Sequence, residues 1–133
     1  MTTVVVDASV AAKWFLPEPD ASAALRLLDG RRRLAAPDLI RAEVGNVVWK
    51  LHARDLLRLE EASEMIEHFL PLPLDIYDSA FLLEPALEIA MTTQRTVYDS
   101  LYLALAIESP AMLQATPRRS SVFARSSLLP FAS

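Results

Sequence analysis

The sequence predicts an α/β domain with a mostly parallel sheet flanked by helices. Short apolar runs alternate with longer stretches of helical periodicity, the order expected when helices cross over between parallel strands. The first run, "VVVD", ends in an acid, Asp7. Parallel sheets bind their ligands beyond the carboxyl ends of the strands, where that acid stands. The chain has 133 residues, 53% of them hydrophobic, which suits a single domain over residues 1–133 with a full core.

Thr3 to Val6 is short, β-branched and apolar, and reads as a buried strand. "ASVAAKWFL" follows as a short helix stopped near Pro17. "DASAALRLLDG" reads as a second helix, with Asp20 as its N-cap and Gly30 as its C-terminal stop. "LAAP" is a short strand, and Pro37 suits the first turn of a long helix reaching about His52. "LEEASEMIEHFL" sets Leu59, Ala62, Met65, Ile66, Phe69 and Leu70 on one face, with its glutamates elsewhere. "PLPLDIY" is too rich in proline for a central strand and suits a short or edge strand. Pro85 belongs near the start of the next helix. "TVYDSLYLALAIES" is apolar nearly all round from Leu101 to Ile107, as a helix buried between layers would be. "AMLQA" reads as a further short strand.

Composition removes several classes of chemistry. The chain has no cysteine, so disulfides, thiolate zinc sites and cysteine nucleophiles are excluded. Gly30 and Gly45 are its two glycines, too few for a glycine-rich phosphate loop. No stretch resembles a signal peptide or a membrane span, so a soluble cytoplasmic protein is expected. The formal charge is −4, which counts against a general nucleic-acid binder. Two local basic clusters, Arg31 to Arg33 and Pro117 to Arg125, run the other way, although such clusters are ordinarily solvated surface.

Three acids need explaining. Asp7 directly precedes a helical pattern and would serve as an N-cap. Asp99 precedes "SLYLALAIE" and would do the same, at the start of a helix expected to be buried. A carboxylate there must be hydrogen-bonded, paired or bound to a cation. Glu43 interrupts the apolar stripe Leu39, Ile40, Val44, Val47, Val48 and Leu51. Arg41 or Lys50 would pair with it in a purely structural role, and Asn46 is near enough to hydrogen-bond. If the three acids converge, the available ligands are oxygens, which suit Mg²⁺ or Mn²⁺. Such ions activate water for phosphodiester cleavage. His52 and His68 lie on separate amphipathic helices and read as surface or helix-end residues.

"VVVDASVAAKWFLPEPD", "APDLIRAEVGNVVWK" and "RTVYDSLYLALA", in that order, resemble PIN-domain proteins, in particular the VapC toxins of bacterial toxin–antitoxin pairs. The resemblance runs from about Val4 to Ile107. It implies a three-layer fold with a mostly parallel central sheet, and a Mg²⁺-dependent endoribonuclease with an acidic pocket at one end of the sheet. Asp7, Glu43 and Asp99 match the family's first three acidic metal ligands. Ser9 matches a small hydroxyl residue beside the first. The resemblance further implies a homodimer and a VapB-like antitoxin whose C-terminal segment lies over the pocket. Arg118, Arg119 and Arg31 to Arg33 would hold the RNA backbone. The chain departs from the family at a fourth acid. Pro117 stands in its place within "QATPRRSSVFAR", and no Asp or Glu follows Glu108. Thr116 or Ser120 would supply a neutral oxygen there. The alternative is a catalytically degenerate member that acts through antitoxin or protein binding.

Two further readings of a strand-end Asp fit less of the sequence. A phospho-accepting signalling domain wants a lysine late in the chain, whereas Lys13 and Lys50 are both early. A haloacid-dehalogenase-like phosphatase wants an Asp where Ser9 stands. A pure interaction module, with the acids as caps and ion pairs, needs no metal.

Overall fold

In a computed structural model of the chain, residues 2–16, 21–108 and 118–119 are described. The strands are β1 (Thr2–Val5), β2 (Arg32–Pro37), β3 (Leu74–Tyr77) and β4 (Arg118–Arg119). The helices are α1 (Ala8–Lys13), α2 (Ala21–Arg26), α3 (Leu39–Ala53), α4 (Leu59–Phe69), α5 (Leu83–Thr93) and α6 (Val97–Ile107). The strands form one sheet in the order β1-β2-β3-β4. β1, β2 and β3 are parallel, with Thr2 opposite Arg32 and Leu34 opposite Leu74; β4 runs antiparallel, with Arg119 opposite Asp75. This is the α/β arrangement that the alternating pattern predicts.

Side chains alternate across β2, and the core divides accordingly. Leu34 and Ala36 point into a cluster with Val6 just past β1, Ala11 and the C-cap Trp14 of α1, Ile40 and Val44 of α3, and Phe69 of α4. Ala35 points to the other face, among Leu82, Ala86, Leu101, Ala104 and Leu105 of the α5–α6 side. Helices therefore cover both faces, and Leu34 to Ala36 are buried on each. That is why a β-strand of continuous apolar residues suits this position. The buried Trp14 indole donates to the Ala24 carbonyl at 2.8 Å, tying α1 to α2.

Several boundaries differ from expectation for identifiable reasons. Pro37 ends β2, opposite Tyr77, and does not enter the helix. The ladder loses no donor beyond it, because Asp38 N–H donates to the Tyr77 carbonyl at 2.9 Å. β3 lies between β2 and β4, not at an edge. Pro71 and Pro73 precede its four residues and so remove none of its hydrogen bonds. α6 starts at Val97, capped by Thr96, so Asp99 lies within the first turn and is exposed. The helix is buried along one face only: Tyr98 is 62% and Ile107 70% exposed. Asp20, "AMLQA", Thr116, Pro117 and Ser120 lie outside the described residues. Among the described residues no helix is long and apolar enough to cross a membrane.

Candidate functional site

Asp7 is delivered just past the end of β1. Val6 N–H still reaches the Ala35 carbonyl at 2.9 Å, and the backbone then turns into α1. Asp7 is extended, with φ −105° and ψ 177°, and caps that helix. Its Oδ1 accepts both the Val10 N–H at 3.0 Å and the Ser9 hydroxyl at 2.7 Å. The cap is therefore real, yet it occupies one oxygen. Among the described residues no hydrogen bond engages Oδ2, so the same carboxylate can cap a helix and face a ligand.

Glu43 stands in the second turn of α3, which begins just beyond the carboxyl end of β2. Its departure from the apolar stripe is resolved by a partner 59 residues away: the Tyr102 hydroxyl donates to Glu43 Oε1 at 2.6 Å. Among the described residues neither Arg41 nor Lys50 pairs with it. Asp99 comes from α6, which packs on β1 and β2. Its N–H donates to the Thr96 hydroxyl at 3.1 Å, and the helix N-terminus favours a negative charge in that first turn.

These three carboxylates line one pocket of about 440 Å³, together with Ala8, Ser9, Arg95, Tyr102 and Leu103. Burial, first of all, raises the Tyr102 pKa well above its ordinary value; the hydrogen bond to Glu43 adds to this, as do the charges of Glu43, Asp7 and Asp99. The phenol thus remains a proton donor to Glu43 throughout the working pH range. The pocket also holds two polar residues that sequence reasoning did not single out. Tyr102 was findable, since it follows Asp99 by three residues and must share its side of α6. Arg95, in the turn between α5 and α6, carried no periodic signal.

Other expected residues are placed elsewhere. Asn46 is exposed one turn beyond Glu43 and is not in the pocket wall. Arg31 and Arg32 pair with Asp29, at 3.9 and 4.0 Å, and Arg33 pairs with the buried Asp75 at 3.6 Å. Arg31 precedes β2, and Arg32 and Arg33 open it opposite Thr2 and Thr3. That is the opposite end of the sheet from Asp7, roughly 17 Å away at strand geometry. Arg118 and Arg119 form β4, and Arg119 is in register with Asp75 near the start of β3. Thr116 is outside the described residues.

The donor set around the pocket is all oxygen, the chemistry that hard divalent cations prefer. Among the described residues no three His, Asp or Glu side chains form a closed metal-holding group. An ion that keeps several of its own waters, as Mg²⁺ does, needs only one or two carboxylates and fits such an open arrangement.

Comparison with known proteins identifies the family. The PIN domain family pattern matches residues 4–113. The chain is also similar to Ribonuclease VapC3 of Pyrobaculum aerophilum, with 38% identity over 105 residues spanning 77% of this chain and 80% of that protein. Strand-end Asp7, core-stripe Glu43 and first-turn Asp99 meet at the carboxyl end of a parallel sheet in a chain that belongs to the PIN-domain family.

Proposed function

We propose that this chain is a Mg²⁺-dependent endoribonuclease, the toxin of a VapBC-type toxin–antitoxin pair. The observation that carries the reading is the meeting of Asp7, Glu43 and Asp99 in one pocket, in a PIN-domain chain whose relative is named a ribonuclease. The uncommitted Oδ2 of Asp7 and the exposed carboxylate of Asp99 would hold the ion, directly or through water. Glu43, one oxygen of which is held by Tyr102, would orient its water shell. When bound, the ion supplies an activated water and stabilises charge on the phosphate. Mn²⁺ would substitute. The protein's own part is to hold the acids rigid. Ser9 and Val10 N–H fix the Asp7 rotamer, and Tyr102 fixes Glu43.

The partners in this reading are single-stranded RNA, a second copy of the chain and a VapB-like antitoxin laying an Arg among the carboxylates. The protein would work in the cytoplasm. The absence of any Asp or Glu after Glu108 favours one competing reading, a degenerate member that binds its antitoxin and cuts nothing.

The test compares RNA cleavage by the wild type, Asp7→Asn and Asp99→Asn, in Mg²⁺ and in EDTA. Asn also caps helices, so Asp7→Asn should fold. Removing a metal-holding carboxylate is expected to lower cleavage at least about 100-fold, and EDTA should abolish it. Equal cleavage in all arms would sink the assignment. Tight antitoxin binding by a wild type that leaves RNA intact would establish the degenerate reading.

A further inference from the structure

We propose that Arg95 is the phosphate-binding residue of this site, its guanidinium holding the non-bridging oxygens of the RNA phosphodiester that lies over Asp7 and Asp99. The assignment rests on the nuclease reading above and names the group that lets an anionic substrate approach it.

Among the described residues lining the pocket, Asp7, Glu43 and Asp99 are negative and Arg95 alone is positive. A single divalent ion would leave the three carboxylates with one net negative charge, facing a phosphodiester that is also negative. Arg95 cancels that remainder. Like charges at close range oppose binding, so the added cation decides whether the substrate is attracted or repelled.

Arg95 is also uncommitted. It forms no ion pair with a described residue, whereas Arg31 and Arg32 are engaged by Asp29, Arg33 by Asp75 and Arg58 by Glu61. An arginine retained merely to neutralise the carboxylates would be expected to touch one of them. Its backbone is constrained on both sides. Gln94 closes α5 in the left-handed region at φ 59°, and Thr96 opens α6 as its N-cap with φ −70° and ψ 158°. Arg95 is the single residue between these two caps, one helical turn before Asp99. A planar guanidinium at such a place can take two phosphate oxygens at once, which an ammonium cannot.

The experiment uses the full chain as wild type, Arg95→Ala and Arg95→Lys. Arg26→Ala, an exposed residue at the end of α2, serves as control. Three quantities are read: affinity for a fluorescein-labelled single-stranded RNA by anisotropy in Ca²⁺ across a salt series, kcat/KM for its cleavage in Mg²⁺, and Mn²⁺ affinity by calorimetry. Arg95→Ala should lower RNA affinity or kcat/KM by about 10–100-fold, as loss of a charge-assisted contact does. Its salt slope should flatten by about 0.7, the share of one phosphate on a single strand. Mn²⁺ affinity should hold or rise, because a positive charge has left the pocket. Arg95→Lys should recover part of the loss, and Arg26→Ala should match the wild type. RNA affinity and kcat/KM both within twofold of wild type in Arg95→Ala would overturn the proposal. Tighter Mn²⁺ binding in that case would make Arg95 a counter-ion only. If the wild type leaves RNA uncut, the nuclease reading fails separately. Anisotropy then decides alone: unchanged affinity overturns the role of Arg95, and weakened affinity upholds it.

Discussion

The hydroxyl of Tyr102 joins α6 to α3 at the one polar position in the α3 core stripe. Removing it in Tyr102→Phe leaves the half-buried Glu43 carboxylate short of its only described partner. The expected cost is about 1.5–3 kcal/mol, that of a hydrogen bond to a charged group, seen as a lower denaturation midpoint. The same bond sets a pH dependence. The folded chain raises the phenol pKa through burial, the Glu43 hydrogen bond and three neighbouring negative charges. The unfolded chain releases that proton near pH 10. Above this pH the folded state binds more protons than the unfolded one, so stability is complete below about pH 10 and falls as pH rises beyond it. Comparing the two proteins isolates this group from Tyr77, Tyr98 and the lysines. Wild-type stability should fall more steeply than that of Tyr102→Phe between about pH 10 and 11. Parallel profiles would show that the phenol does not feel the carboxylates.

At the scale of elements, the end of α3 illustrates what a sequence pattern carries and what it omits. Leu56 N–H reaches the Leu51 carbonyl at 2.9 Å and Asp55 N–H reaches the His52 carbonyl at 3.0 Å, the paired bonds of a Schellman ending. The left-handed residue is Asp55, at φ 59°, where glycine is usual. Asp55→Gly should relieve the side-chain clash and remove a negative charge from a helix C-terminus, whose dipole disfavours it. After subtracting the added chain entropy of glycine, about 0.5–1 kcal/mol of stability should remain. A thermal melt should shift upward by about 2–4 °C, and a lower midpoint would refute the strain argument. No glycine marks this helix end, yet the apolar stripe places it at about His52, one residue short of its end at Ala53. Pro37, by contrast, misled. A proline before an apolar run suits a helix start, yet it equally suits the last residue of a strand whose next donor is supplied by Asp38. Where periodicity was strong, as in α4, the element lies where expected. The cap of α6 was displaced because Thr96 outcompetes Asp99 for the same role, and that displacement leaves the Asp99 carboxylate without a partner among the described residues.

Across the whole molecule, the pocket joins acids from β1–α1, α3 and α6, and no single segment contains it. Glu43 and Asp99 were legible because each sat awkwardly in its own element, and Asp7 because it closes an apolar strand. Arg95 was not, because an arginine in a turn is ordinary until the fold places three carboxylates around it. Arg31 to Arg33 show the converse: a conspicuous run that parallel strand order carries to the far end of the sheet. Gathering like charges also has an energetic consequence for the metal-free chain. Glu43→Gln keeps a carbonyl oxygen for the Tyr102 hydroxyl and a side chain of similar helix propensity, but removes one charge. In EDTA this variant should be more stable than the wild type by about 0.5–1 kcal/mol, the gain expected when a strained functional site is relaxed. Adding Mn²⁺ should reverse the order. A ligand bound only by the folded state stabilises it by RT ln(1 + [L]/Kd), about 1.4 kcal/mol at ten times Kd, and the variant should gain less of it. Thermal melts of both proteins across a Mn²⁺ titration test the crossing. Melting temperatures that never respond to the ion would remove the metal from the mechanism, and a variant less stable than wild type in EDTA would show that the charge-assisted Tyr102 hydrogen bond outweighs the repulsion among the carboxylates.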